Sequence, residues 1–224
     1  MEAPSSDRCM AFVKQHTELR APALVPEILL HLAGPVMNLW TETGALLAAK
    51  ESSLANLPPP YWAYAWPGGS ALSRYLLDNP EECAGKRMLD FGSGSGLAAI
   101  AAAQCGAAYI TAAEIDPLAR GALTLNMRVN NVAIAIEPND TIGRDGGWDT
   151  ILVADMCYEQ PLAGRLTEWL STLAKRGARI LLGDPGRSYM PQQSLTPLAT
   201  YEVPTSRDLE DSDMRRTTVY AWLT

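Results

Sequence analysis

Leu89-Asp90-Phe91-Gly92-Ser93-Gly94-Ser95-Gly96 reads as a short apolar strand that runs into a glycine turn and opens a small-residue helix, Leu97 to Cys105. Glycines permit positive φ and let a backbone approach a ligand closely, and a helix N-terminus offers unpaired N–H groups. Outward from this stretch the chain alternates strand and helix signals with short connections, the pattern of βαβ units and a parallel sheet. A helix from Gly69 to Leu77 precedes the strand Arg87 to Phe91. Tyr109 to Ala113 is the next strand, followed by a helix from Pro117 to about Val129. Further strands are expected at Ala133 to Ile136, Thr150 to Ala154 and Ala178 to Leu182, with an amphipathic helix Pro161 to Ala174 between the last two. Thr200 to Val203 and Thr217 to Leu223 read as a closing antiparallel pair around a charged loop that contains Asp208, Glu210, Asp211, Asp213, Arg215 and Arg216. The expected fold is α/β and Rossmann-like: a seven-stranded, mostly parallel sheet with a C-terminal antiparallel strand, helices on both faces, and a ligand crevice past the carboxyl ends of the first strands.

Residues 1 to about 60 read differently. Helix candidates at Pro26 to Leu32 and Thr43 to Ala49 are separated by Pro and Gly, and the segment ends in Pro58-Pro59-Pro60. The expected division is an N-terminal helical appendage over 1–60 and the main domain over 61–224, since 224 residues suit one full-sized domain better than two. A net charge of −7, a pI near 4.9 and the absence of a Lys/Arg cluster disfavour nucleic acid as a partner. Cys9, Cys83, Cys105 and Cys157 are far apart and His16 and His31 are the only histidines, so neither a zinc site nor a disulfide framework can be read. No apolar run approaches the roughly 20 residues of a membrane span, and the N-terminus carries Glu2, Asp7 and Glu18 early, unlike a signal or transit peptide. A cytoplasmic protein without a membrane partner is expected. With no coiled-coil signal, so is a monomer.

Spacing and charge narrow the ligand. A dinucleotide turn is G-x-G-x-x-G and seats a pyrophosphate, whereas here the glycines run G-x-G-x-G with Asp90 two residues before the first. Asp90 would repel a pyrophosphate but suits a ligand with an amino group and a sulfonium, which is S-adenosylmethionine. Glu114 ends the next strand about 20 residues after the turn, where an acidic residue that binds ribose hydroxyls is expected. The cofactor candidates are therefore Asp90, Gly92, Ser93, Gly94 and Glu114. Asp116 precedes Pro117 and reads better as a helix N-cap. Pro138-Asn139-Asp140-Thr141 follows the third strand, where Asn139 or Asp140 offers a carbonyl oxygen to an adenine amino group; a polar turn is the alternative.

Ala154-Asp155-Met156-Cys157-Tyr158 brings a carboxylate and a phenol to the sheet's carboxyl edge. Methyl transfer from a sulfonium needs an in-line lone pair, so an amine acceptor must be neutral and aimed. A free lysine amine, with a pKa of about 10.4, is almost wholly protonated at neutral pH. Asp155 can accept a hydrogen bond from the amine and Tyr158 can shape the pocket; a helix-capping Asp and an ordinary buried Tyr are the alternative. The absence of Asn-Pro-Pro-Tyr disfavours the adenine and glutamine amide methyltransferases.

The D-x-x-Y run Asp155 to Tyr158 resembles the seven-strand protein-lysine methyltransferases. Three further stretches, Tyr61-Trp62-Ala63-Tyr64-Ala65-Trp66-Pro67-Gly68-Gly69, Ala71 to Pro80 and Leu182-Gly183-Asp184-Pro185-Gly186-Arg187, resemble the electron-transfer-flavoprotein beta-subunit lysine methyltransferases. The resemblance runs from about His16 to the last strand. It implies a class I methyltransferase that acts on lysines of that flavoprotein subunit, with a ribosomal stalk protein as a second acceptor among bacterial members. It also implies that Trp66, Gly92, Glu114, Asn139 and Asp155 line the cofactor site and that Asp155 and Tyr158 mark the acceptor end. In the aromatic run, Tyr61 and Tyr64 read better as core packing and Trp66 as a ligand contact; Asp184-Pro185-Gly186-Arg187 suits a turn with no ligand, although its place beyond a strand's carboxyl end puts Arg187 near the crevice. A small-molecule methyltransferase, a ribosomal-protein methyltransferase and a non-catalytic module that binds cofactor and partner are the competing readings.

Overall fold

The computed structural model of the chain describes residues 5–34 and 59–223. Helix α1 (Ser6–His16) is followed by a small antiparallel pair, β1 (Glu18–Arg20) with β2 (Leu30–Leu32). Then come α2 (Pro67–Asp78), β3 (Arg87–Phe91), α3 (Leu97–Gln104), β4 (Tyr109–Ala113), α4 (Pro117–Val129), β5 (Ala135–Glu137) and β6 (Thr150–Ala154). The chain closes with α5 (Leu162–Lys175), β7 (Arg179–Asp184), β8 (Leu195–Pro204), α6 (Arg207–Glu210) and β9 (Met214–Trp222).

The main sheet has the order β5-β4-β3-β6-β7-β9-β8, and β9 alone runs against the other six strands. Strand residues alternate between two apolar cores, as a period of two requires. Met88, Leu152 and Leu181 face one core with α2 and α3, while Leu89, Ile151, Val153, Ile180 and Leu182 face the other with α5. Each of these buried aliphatic side chains contributes about 1.5–3 kcal/mol relative to exposure. Helix α3, Leu97-Ala98-Ala99-Ile100-Ala101-Ala102-Ala103-Gln104, is apolar on every side, and its first six residues are buried, which is what an apolar surface all round demands. Asp116 caps α4 through the Leu118 N–H at 2.8 Å, with Pro117 at the first helical position.

The described N-terminal part differs from the helical expectation. Pro26 to Leu32 is a turn that ends in β2, because α4 satisfies its backbone from outside: Asn126 Oδ1 accepts from the His31 N–H, and Asn130 bonds both the N–H and the carbonyl of Leu29. Val25, Ile28 and Leu30 are fully buried and join the core that contains α2 and α3. Helix α1, which has few apolar residues to announce it, packs Cys9 and Val13 on Leu118, Ala119, Ala122 and Leu125 of α4. The expected helix at Thr43 to Ala49 lies outside the described residues. β8 is longer than Thr200 to Val203 suggested; it is an edge strand, so it tolerates Pro197 and Pro204. Among the described residues no helix is long and apolar enough to cross a membrane, and no group of three or more His, Cys, Asp or Glu is arranged to hold a metal ion.

α2 meets the sheet backbone to backbone. A Cβ on Gly68 would fall 2.2 Å from the Gly183 carbonyl oxygen and 2.5 Å from Asp155 Oδ2, and a Cβ on Gly183 would fall 2.3 Å from the Gly68 oxygen. Only glycine at both positions lets the first turn of α2 rest on β7 and reach the end of β6.

Candidate active site

The chain winds β3-β4-β5 to one side of the sheet and β6-β7 to the other, so the strand order reverses between β3 and β6. A crevice past the carboxyl ends of the strands at such a reversal is where doubly wound sheets bind ligands. The glycine turn, Glu114, Asn139, Asp155 and Arg187 all follow carboxyl ends of adjacent parallel strands.

At the β3 end, Gly92, Gly94 and Gly96 have φ of +66°, +53° and +84°, conformations that a side chain resists. Asp90 is buried, and its Oδ2 accepts from the Ser93 hydroxyl at 2.8 Å and from the Ala99 N–H at 3.2 Å. It braces the turn from beneath. Burial pushes its pKa up to about 7 against these two bonds. Glu114 grips the turn from the neighbouring strand: Oε2 accepts from the Gly94 N–H and Oε1 from the Asp116 N–H, both at 2.8 Å. Burial raises its pKa as well. Each carboxylate oxygen retains a second lone pair for a hydroxyl donor. Above Gly94 a Cβ would meet only Trp62 Cα at 3.9 Å and the Gly92 oxygen at 4.0 Å, so the backbone is open to a ligand there. Ile115, 66% exposed, leaves apolar surface beside Glu114. Glycine backbone, an acidic hydroxyl acceptor and adjacent apolar surface form a donor and packing set that fits S-adenosylmethionine.

Asn139 donates both its N–H and its side-chain amide to Glu137 Oε1, at 3.0 and 2.9 Å, which leaves its carbonyl oxygen as the unspent acceptor. Asp140 is turned to other partners, the Ile142 N–H at 2.9 Å and Arg165 of α5 at 2.8 Å.

Across the reversal, Asp155 has φ +55° and a side chain that is 11% exposed. It does not cap α5, which follows it in sequence. Its Oδ2 accepts instead from the Gly69 N–H in the first turn of α2 at 3.0 Å, and its Oδ1 pairs with Arg187 Nη2 at 3.0 Å. Burial carries its pKa up to about 7, opposed chiefly by Arg187 and reinforced by Asp184. Met156 arches back over the glycine turn, where a Cβ on Gly92 would fall 2.6 Å from its sulfur, and so joins the two halves of the crevice.

The aromatic run divides. Tyr64 is buried in the core that α1 and α4 share, whereas Tyr61 is 40% exposed, contrary to the core expectation for it. The Tyr61 ring lies 5.9 Å from Trp66 and 6.0 Å from Tyr158, which is also 40% exposed and not an ordinary buried tyrosine. Burial of its hydroxyl end pushes the Tyr158 pKa up to about 12, so it is a neutral phenol. Trp66 donates its indole N–H to the Tyr61 carbonyl at 2.7 Å and lies with its ring 5.8 Å from the Arg187 guanidinium. Arg187 also makes a two-pronged ion pair with Glu210 of α6, which Arg215 approaches at 3.6 Å. Neither Glu210 nor Asp184 was singled out from the sequence as a site residue. The only hint was their setting, a charged loop and a strand-end Asp-Pro-Gly-Arg.

Comparison with known proteins gives the family. Residues 70–182, just over half of the chain, match the family model described as Ribosomal protein L11 methyltransferase (PrmA). The electron transfer flavoprotein beta subunit lysine methyltransferase of Xenopus laevis is 40% identical over 219 residues, covering 95% of this chain and 86% of its own length. The Homo sapiens protein of the same name is 39% identical over 221 residues, covering 95% and 81%. The crystal structure of magnesium protoporphyrin IX methyltransferase from Synechocystis PCC 6803 with bound SAH superposes with a TM-score of 0.52 at 15% identity, covering 82% of this chain and 94% of that one, a likeness of fold alone. The chain belongs to the electron transfer flavoprotein beta subunit lysine methyltransferase family, within the wider ribosomal protein L11 methyltransferase group, and S-adenosylmethionine is its methyl donor.

Proposed function

We propose that the chain methylates lysine side chains of the electron transfer flavoprotein beta subunit, with Asp155 and Tyr158 at the acceptor end and Trp66, Asp90, Gly92, Ser93, Gly94, Glu114, Asn139, Asp140 and Asp155 around the cofactor. The observation that carries this reading is Asp155: a nearly buried carboxylate at the end of β6, fixed at both oxygens, and joined through Arg187 to Trp66, whose ring neighbours the partly exposed Tyr61, itself next to Tyr158. S-adenosylmethionine supplies an electrophilic methyl on a sulfonium. Asp155 accepts a hydrogen bond from the acceptor amine and turns its lone pair toward that methyl. The aromatic rim strips water from the lysine stem and favours a cation over its faces. Transfer would form the C–N bond as the sulfonium C–S bond breaks, with S-adenosylhomocysteine as the leaving group, and an ionised Asp155 would take the surplus proton from the methylated, cationic nitrogen. Asp90 and Glu114 hold the glycine turn from below and from the side; Asp140, tied to Arg165, steadies the loop that offers the Asn139 carbonyl.

Length of match favours the flavoprotein subunit over a ribosomal stalk protein. The ribosomal family model spans 70–182 and so excludes Trp66, Asp184, Arg187 and Glu210, whereas the flavoprotein-methylating relatives align over 95% of the chain. The proposal keeps the ribosomal protein as a second acceptor and treats the protein as a cytoplasmic monomer, with 1–60 as an appendage to the 61–224 catalytic domain. Sedimentation of the purified chain checks the monomer.

The test is intact-mass spectrometry of the flavoprotein from the same source after incubation with the chain and S-adenosylmethionine. Methyl steps of mass on the beta subunit, lost in Asp155→Ala by a larger factor than its loss of cofactor affinity, are the expected result. No gain with the wild-type chain overturns the acceptor assignment.

A further inference from the structure

Arg187 does more than the turn around it requires. Asp184-Pro185-Gly186-Arg187 is closed by Asp184 Oδ1, which accepts from the N–H groups of Gly186 and Arg187 at 2.7 and 2.6 Å, and Gly186 supplies φ +94°. Nothing in that turn uses the Arg187 side chain. The guanidinium is nevertheless only 19% exposed. It bridges Asp155, 32 residues earlier, and Glu210, 23 residues later, against the ring of Trp66. Stability is a poor reason for such a placement, since buried ion pairs replaced by apolar groups of similar size often leave a protein equally stable. Asp155 is the group that gains. One of its oxygens is fixed by the Gly69 N–H of α2 and the other by Arg187, so the plane of the carboxylate is set from two opposite elements.

We propose that Arg187 is a positioning residue for methyl transfer: braced by Glu210, it holds Asp155 ionised and correctly turned toward the acceptor amine. This rests on the reading of Asp155 as the acceptor-side carboxylate. The surroundings of Asp155 make Arg187 the cation that matters. The first turn of α2 presents the backbone of Gly68 and Gly69, and the loop after β6 contributes Cys157, whose thiol pKa is raised by burial and by the nearby Asp184 and Asp155. The end of β7 contributes Asp184, which is buried with Oδ2 unpaired among the described residues, and α6 contributes Glu210. Arg215 of β9 reaches Glu210, not Asp155. Without Arg187, Asp155 faces burial and the negative charge of Asp184 with only the Gly69 N–H in its favour. It would take up a proton and lose the lone pairs on which amine orientation depends. The device also ties the C-terminal hairpin to the acceptor end, because the Glu210 brace lies between β8 and β9.

Arg187→Met, which keeps much of the packing against Trp66, and Arg187→Lys, which keeps the charge, test this on the full chain. The direct readout is the carboxyl carbon-13 resonance of Asp155 in aspartate-labelled protein, assigned by its absence in Asp155→Asn and followed against pH. Arg187→Met is expected to raise the titration midpoint by about one to three pH units, the usual effect of losing an adjacent opposite charge. Arg187→Lys should restore most of it. On the flavoprotein subunit the acid limb of the kcat profile should move up by the same interval, kcat at neutral pH should fall about 100-fold, and S-adenosylmethionine affinity should stay within about twofold. An Asp155 midpoint unmoved in Arg187→Met overturns the proposal, as does a loss of cofactor affinity that matches the loss of kcat. If the wild-type chain transfers no methyl to the flavoprotein, the substrate assignment fails, and the titration still decides the coupling of Arg187 to Asp155.

Discussion

Gly68 and Gly69 are adjacent in one helical turn, yet alanine at the two positions should act with opposite sign. At Gly68 the added methyl would lie 2.2 Å from a backbone carbonyl oxygen and 2.5 Å from Asp155 Oδ2, and neither is the free end of a flexible side chain. Helix α2 must lift from β7, at the cost of about 1–3 kcal/mol typical of overpacking. At Gly69 the nearest atom to the new methyl is the Ala154 Cβ at 4.0 Å, an ordinary contact, and the N–H that Asp155 accepts is retained. There the change mainly restricts the unfolded chain and should stabilise by about 0.4–1 kcal/mol. At roughly 2–4 °C per kcal/mol for a chain of this size, Gly68→Ala should lower Tm by about 2–12 °C and Gly69→Ala should raise it by about 1–4 °C. Urea denaturation with an unchanged m-value gives the same ordering in free energy. Gly68→Ala should in addition lower turnover by about 100-fold, because the carboxylate that aims the acceptor is displaced. Equal stability of the Gly68→Ala and wild-type chains, or a clear loss at Gly69→Ala, would refute the close helix–strand contact as the reason for the paired glycines.

Glu114→Ala removes the acceptor of two backbone N–H bonds and the candidate ribose contact, and should weaken S-adenosylmethionine binding by about 1.5–3 kcal/mol in calorimetry; unchanged affinity would sink the ribose assignment. Asp90 has a folded pKa of about 7, above the ordinary carboxylate value near 3.9, so its contribution to stability is full below about pH 4 and is lost as the pH rises through 7. Asp90→Asn, which can still accept from Ser93 and Ala99, should therefore gain stability relative to wild type between pH 5 and 8. Parallel urea curves at the two ends of that range are the check, and a difference that does not change with pH speaks against a protonated Asp90. Asn126, fully buried, accepts from the His31 N–H and donates to the Ser95 carbonyl, both at 2.8 Å. Asn126→Ala leaves both unpaired and should cost about 1–3 kcal/mol per stranded group in thermal unfolding, whereas a neutral result would mean that water replaces the amide.

The candidate cofactor half of the site could be laid out from sequence because it is local. Asp90, Gly92, Gly94, Gly96 and the cap at Asp116 all lie on one βαβα stretch, and the spacing from the glycine turn to Glu114 follows from strand and helix lengths alone. Five strands of the parallel sheet were legible for the same reason: each is a short run made mostly of apolar residues, and three of them agree to the residue with β3, β4 and β6. Reading was weakest where local pattern and tertiary contact disagree. Leu29 and His31 are held in extended geometry by Asn130 and Asn126, about a hundred residues away, so nothing near Pro26 predicts β2. Tyr61 and Tyr64 share a composition and a spacing but separate into rim and core, because the 3-10 turn over Tyr61–Ala63 directs one ring out and the next residues in.

The candidate acceptor half was legible in sequence only in part, at Trp66, Asp155 and Tyr158, for a reason that bears on how specificity can change. Its parts come from four separated places: Tyr61 to Gly69, Asp155 to Tyr158, Asp184 to Arg187, and Glu210. No periodicity links them; only the order β6-β7-β9 in the sheet does. Glu210 lies on a short helix between the two strands of the edge hairpin, and β8, at the sheet margin, can vary without disturbing β3 or its glycine turn. A substitution there reaches Asp155 through one guanidinium, while Glu114 and Asp90 hold the cofactor turn through bonds that never touch Arg187. Glu210→Gln should accordingly lower kcat on a protein acceptor with little effect on S-adenosylmethionine affinity. If both fall together in side-by-side kinetics and calorimetry, the two halves of the crevice are one mechanical unit and acceptor choice cannot be retuned from the hairpin alone.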